Sequence, residues 1–141
     1  MKLEIFPTEI LSEVNLPFAD GGVHAGFPSP AQDYMDRSID LNMELISHPE
    51  STFCARVVGN SMIDADVLDG DIIVIDRSVT ANDGDMVVCI LDGEFTVKYL
   101  HKEPNGVTLV PANKDFKEIQ VAEGSNFEVW GVVTYVIHKA R

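Results

Sequence analysis

Ser61 and Lys98 are the residues whose types and settings suit covalent chemistry. Ser61 stands in Gly59-Asn60-Ser61-Met62, directly after the apolar stretch Ala55 to Val58. That places it at a strand-to-loop corner, where a side chain can point into a cleft and backbone N–H groups stand free. A serine hydroxyl becomes a nucleophile only when a base takes its proton. None of the four histidines, His24, His48, His101 and His138, has a triad context, so the base must be another residue. A neutral lysine can serve.

Lys98 lies in Glu94-Phe95-Thr96-Val97-Lys98-Tyr99-Leu100. In a strand, Phe95, Val97 and Tyr99 share one face and Thr96, Lys98 and Leu100 the other. From Val57 through Leu100 only Arg77 and Lys98 are basic, against nine acids, a field that by itself holds the ammonium form. Burial must therefore win. Moving a lysine from roughly 10.4 to about 7 takes about 4.6 kcal/mol of differential desolvation, which only a dry site supplies. Thr96, two residues earlier on the same face, can orient the amine through its hydroxyl. The N–H groups of Asn60 and Ser61 are candidate oxyanion donors. Taken alone, a Gly-x-Ser-Met turn and one strand lysine occur in many proteins.

No other cluster competes. The acids from Asp64 onward do not keep calcium-loop spacing, because Asp64-Ala65-Asp66-Val67-Leu68-Asp69 breaks off into an apolar strand. The histidines have no metal-ligand spacing, and two cysteines exclude a Cys-rich zinc site. No metal and no cofactor is expected. Cys54 and Cys89 each sit in an apolar strand-like run, where a buried reduced thiol is the usual reading.

The elements that must position this pair are mostly strands. Thr52–Val58, Asp71–Asp76, Asp85–Leu91, Glu94–Leu100, Val107–Pro111 and Phe127–His138 are expected as strands, separated by turn signals. Asp92-Gly93 between two of them is a strong two-residue hairpin signal. The first 30 residues hold four of the seven prolines and the Gly21-Gly22 pair, and read as a flexible arm. Short helices are expected over 7–14, 31–39 and 40–46, the last stopped by His48-Pro49, with no helix beyond. The organisation predicted is an N-terminal arm over 1–25, a linker with short helices over 26–50 and a β-rich domain over 51–141 that carries Ser61 and Lys98.

Composition bounds the rest. The chain has 141 residues, a formal net charge of -13 and 45% hydrophobic residues, enough for one folded domain. Acids outnumber bases more than two to one, which disfavours direct grip on nucleic acid. No apolar run approaches the roughly 20 residues of a membrane span, and the N-terminus lacks the apolar stretch of a secretory signal. A cytoplasmic location is expected, with no membrane contact.

Gly59-Asn60-Ser61-Met62, then Leu68-Asp69-Gly70-Asp71, then Asp92-Gly93-Glu94-Phe95-Thr96-Val97-Lys98, resemble in order and spacing the signature of self-cleaving serine-lysine peptidases of the LexA/UmuD family. The resemblance implies a mainly β, compact antiparallel fold with Ser61 as nucleophile and Lys98, 37 residues later, as general base. That family cuts itself at an Ala-Gly or Cys-Gly bond upstream of the serine, and Ala25-Gly26 stands 36 residues before Ser61. By itself Ala25-Gly26 reads as an ordinary linker. Gly21-Gly22 and the prolines around it let the segment extend into a cleft, where small residues admit the Ser61 oxygen.

Only 25 residues precede Gly26, too few for the helix-turn-helix reading head of the family's repressors. The likeness is to the family's short branch, including Gly26-Phe27-Pro28-Ser29-Pro30-Ala31, and spans nearly the whole chain. It implies a homodimer, self-cleavage stimulated by RecA filaments, and partnership with a UmuC-type lesion-bypass polymerase. Asn60 stands where that branch often has an acid and Ala25 where it usually has cysteine, so an altered rate of cutting is expected. The competing readings are a non-catalytic acidic interaction module, a truncated LexA-like repressor and a signal-peptidase-like enzyme, the last of which needs a membrane anchor.

Overall fold

Runs of Val, Ile and aromatic residues bounded by Asp-Gly turns form antiparallel strands, because branched and aromatic side chains pack well on a pleated surface. The computed structural model describes residues 2–8, 15–18 and 37–141. In chain order these form β1 (Lys2–Pro7), β2 (Asn15–Phe18), β3 (Arg37–Asp40), α1 (Leu41–Leu45), β4 (Thr52–Val58), β5 (Ile72–Asp76) and β6 (Met86–Leu91). They continue with β7 (Glu94–Glu103), β8 (Gly106–Val110), β9 (Ile119–Gln120) and β10 (Phe127–Ile137). The chain divides into two compact units, one of Met1–Thr8 with Glu50–Arg141 and one of Glu9–Pro49.

The larger unit is an eight-stranded antiparallel sheet in the order β1-β4-β5-β10-β6-β7-β8-β9. β10 joins its two halves: Val132 to Ile137 pair with β5, while Phe127 to Val132 pair with β6, with register shifts at Val129/Gly131 and Val133/Tyr135. The sheet curls, since Ala55 and Val57 of β4, Ile73 and Ile75 of β5, Val88 of β6 and Val97 of β7 share one core cluster with Met62 and Val67. A second cluster, Ala81, Val87, Cys89, Leu100, Leu109 and Val132, lies on the other face of β6 and β7. Those two strands are therefore buried on both sides. That double cover makes Lys98 a buried residue.

The Asp92-Gly93 hairpin forms as expected, with Leu91 opposite Glu94 and both turn residues at positive φ, 49° and 84°, the geometry a two-residue hairpin requires. Each of the six expected strands forms, with ends displaced by at most a few residues. The helix expected over 40–46 is α1, capped by the Asp40 side chain accepting from the Asn42 N–H at 3.0 Å. From Pro49 onward the helical segments among the described residues are the 3-10 turns Pro49–Ser51 and Ile63–Ala65.

Three features depart from expectation. The helix expected over 31–39 does not hold at its end, because Arg37–Asp40 is β3, paired with β2 through Leu16↔Ile39; a cross-strand partner outweighs a weak local preference at a β-branched isoleucine. Its remainder, like 9–14 of the first expected helix, lies outside the described residues. β1, β2, β3 and β9 form beyond the expected strands; β1 packs Leu3 and Ile5 on the first core cluster and pairs with β4. Cys89 is fully buried, but Cys54 is only partly so, covered on the β4 edge by β1 and contacting Thr8 Oγ1 at 3.5 Å.

Candidate active site

The corner carrying Ser61 is built by β4 and the loop after it. At Gly59 the chain turns out of β4 with φ of 112°, a region that favours glycine, and its N–H donates to Asp69 Oδ1 at 2.9 Å. Leu68 to Asp71 closes back on the strand: the Gly70 N–H donates to the Val57 carbonyl and the Val57 N–H to the Asp71 carbonyl, each at 2.8 Å. On the far side of Ser61, Met62 is fully buried in the first cluster and the Ile63–Ala65 turn begins. Fixed from both sides, Ser61 is 1% exposed.

Lys98 comes to this corner from the middle of β7, paired across the sheet with Val87. It is 6% exposed. Its Nζ meets three oxygens: Ser61 Oγ at 3.1 Å, Thr96 Oγ1 at 3.0 Å and the Val97 carbonyl at 3.1 Å. An ammonium donates to all three. A neutral amine has two N–H bonds and one lone pair; the Val97 carbonyl can only accept, Thr96 takes the second N–H, and the lone pair receives the Ser61 O–H. The site thus seats the neutral form with every polar group satisfied.

Burial also pushes Lys98 below its ordinary pKa, by penalising the charged form. A Cys89 thiolate would oppose this, but burial drives the Cys89 thiol up to about 11, which disfavours that charged form. Cys89 pairs with Thr96 across β6 and β7, on the Lys98 face. None of the nine acids between Val57 and Leu100 acts on Lys98 as a charge partner. Burial is the largest influence on its charge.

A cleft of about 260 Å³ opens on this pair. Leu91, Phe95, Phe116 and Ile119 give it apolar walls, with Glu94 and Lys117 also lining it. The N–H groups of Asn60, Ser61 and Met62 donate to no partner among the described residues, which leaves donors at the corner for a developing oxyanion. Of the residues singled out by sequence, Ser61, Lys98, Thr96 and Asn60 come together, whereas Ala25 and Gly26 lie outside the described residues. Sequence reasoning missed the Phe116 wall, Cys89 beside the lysine and Asn113, whose Nδ2 donates to the Asn60 carbonyl at 2.7 Å from 53 residues away. Asn113 reads in sequence as a turn former, and nothing local signals so distant a partner.

A buried serine hydroxyl against a desolvated lysine, at the edge of an apolar cleft in a curled antiparallel sheet, is the arrangement of a serine peptidase. Residues 17–134 match the family model described as peptidase S24-like. The chain is 42% identical to protein MucA of Salmonella typhimurium over 137 residues, covering 96% of this chain and 93% of that protein. It is 45% identical to protein ImpA of Escherichia coli over 124 residues, 88% and 83% of the two chains. With protein SamA of Salmonella typhimurium strain LT2 it shares 37% identity over 141 residues, 100% of this chain and 98% of the other. The chain belongs to the peptidase S24-like family. Within it, this is a UmuD-like SOS mutagenesis protein and a self-cleaving serine peptidase.

Proposed function

We propose that Ser61 and Lys98 cut the Ala25–Gly26 bond of this chain. Lys98 Nζ takes the Ser61 hydroxyl proton as Oγ bonds to the Ala25 carbonyl carbon, and the carbonyl electron pair moves onto oxygen, facing the N–H groups of Asn60 and Ser61. The tetrahedral species collapses as the C–N bond breaks, and the proton held by Lys98 passes to the Gly26 nitrogen. Water then gives its proton to the neutral lysine, attacks the Ala25 ester and restores the Ser61 hydroxyl. Thr96 holds the amine in line throughout. The observation that carries this reading is the buried 3.1 Å contact between Lys98 Nζ and Ser61 Oγ.

Removing residues 1–25 leaves a product of 116 residues beginning at Gly26. It also takes away β1, which pairs with β4, so cleavage changes the surface open to partners. In this reading the protein is a cytoplasmic homodimer whose cutting is stimulated by a RecA filament and whose product serves a UmuC-type translesion polymerase. A charge of -13 suits a protein that reaches DNA through others. Among the described residues no helix is long and apolar enough to cross a membrane.

Intact mass after alkaline and RecA-stimulated incubation tests the cut. The expected product begins at Gly26 and is absent from Ser61→Ala and Lys98→Ala. Cutting by either variant would remove the assigned roles, and intact protein alone under both conditions would favour a non-catalytic acidic module.

A further inference from the structure

We propose that Asn113 is a positioning residue for self-cleavage, aiming the Ser61 N–H at the oxyanion; this rests on Ser61 as the nucleophile. Asn113 stands in the loop between β8 and β9. Its Nδ2 donates to the Asn60 carbonyl at 2.7 Å, short for an N–H···O bond. Its Oδ1 accepts from the Asp115 N–H at 2.9 Å, which fixes the end of the amide that faces Asn60. The same loop clips the serine segment twice more: the Asp64 N–H donates to the Ala112 carbonyl at 2.7 Å, and the Ala112 N–H to Met62 Sδ at 3.3 Å.

The Asn60 carbonyl and the Ser61 N–H are the two ends of one planar trans peptide and point in opposite directions. Tying the carbonyl to Asn113 therefore turns the Ser61 N–H away from the loop, with no partner among the described residues. A donor set beforehand costs no reorganisation when charge develops on the substrate oxygen. The other bond to that carbonyl, from the Ile63 N–H at 3.2 Å, is longer and belongs to the turn after Ser61. Asn113 is the side chain that brings an outside element to bear on this peptide. The Asn113 carbonyl also accepts from the Phe116 N–H at 3.0 Å, so one residue ties the cleft wall to the nucleophile corner.

The test follows first-order self-cleavage of the full chain across pH in the wild type, Asn113→Ala, Asn113→Leu and Ser61→Ala. Neither Asn113 substitution adds charge or touches a Lys98 contact. Both should lower the plateau rate by about tenfold or more, below the hundredfold or greater loss typical of removing an oxyanion donor outright, with the pH midpoint unchanged. A tripeptide boronic acid copying Val23, His24 and Ala25 forms a tetrahedral Ser61 adduct with an oxygen in the same place. Its affinity should fall in proportion to the rate. Rates within twofold of wild type, a loss of rate with unchanged boronate affinity, a displaced pH midpoint, or loss of the fold in both variants would each overturn the proposal. Cleavage by Ser61→Ala would overturn the nucleophile assignment beneath it, whereas an inert Ser61→Ala beside a fully active Asn113→Ala defeats only this inference.

Discussion

Thr96→Val removes one of the three oxygens around Lys98 Nζ, at 3.0 Å, and leaves the size and β-branching of the side chain unchanged. Two consequences follow with different pH signatures. First, the amine loses a partner that fixes its direction toward Ser61 Oγ; a net hydrogen bond of about 1 kcal/mol, given up entirely in the transition state, lowers the plateau rate about fivefold. Second, the threonine oxygen supports the ammonium more than the amine, because a charge-assisted bond is the stronger one. Burial already holds Lys98 below its ordinary value, and losing an acceptor pushes it further the same way. The half-maximal point of the pH–rate curve thus moves toward acid. At pH values below it, more of the variant's lysine is neutral and the deficit shrinks. Intact-mass time courses of the full chain from about pH 6 to about pH 11 span both forms of the lysine. A plateau within twofold of wild type, or a midpoint displaced toward alkali, would refute the reasoning.

Lys98→Met replaces a buried amine by a neutral chain of similar length. Between the depressed folded value and the ordinary 10.5 of the unfolded chain, the unfolded state holds one more proton. Wild-type stability therefore rises with pH in that window, by about 1.4 kcal/mol per pH unit at most. Denaturant titrations should find the variant the more stable near neutrality and the gap closing toward pH 10. Gly131→Ala should cost about 1–3 kcal/mol in a thermal melt, since the new Cβ would lie 2.6 Å from Ile75 Cγ2 and 3.4 Å from the Asp76 carbonyl. Deleting residues 1–8 removes β1, and amide exchange should quicken at alternate residues of β4 while β5 and β10 keep their protection.

The strands of the larger unit were legible because alternation and Asp-Gly turns are local signals. β4 through β8 and β10 therefore emerge close to their real limits. β1 and β3 were not, because each becomes a strand through a partner far along the chain: β1 through β4, and β3 through β2. Ser61 and Lys98 were legible for a different reason. Their motifs resemble a known family's, and the chemistry needs those residue types. The neighbours that sequence reasoning missed, Cys89 and Asn113, carry no such signal, since a thiol in a strand and an amide in a turn have commoner uses.

The charge on Lys98 marks the boundary. Sequence alone set out the candidates, a serine with no triad histidine and a lysine that serves as a base only when neutral, and the nine acids near them in the chain. It could not say where those acids would lie. Tertiary structure decided this by burying β6 and β7 on both faces, so that the lysine meets Ser61, Thr96 and a carbonyl in a dry site. Residue identity sets which groups can exchange a proton. Only the curled sheet, by burying the amine beside Ser61 and Thr96, shifts its balance toward the neutral form.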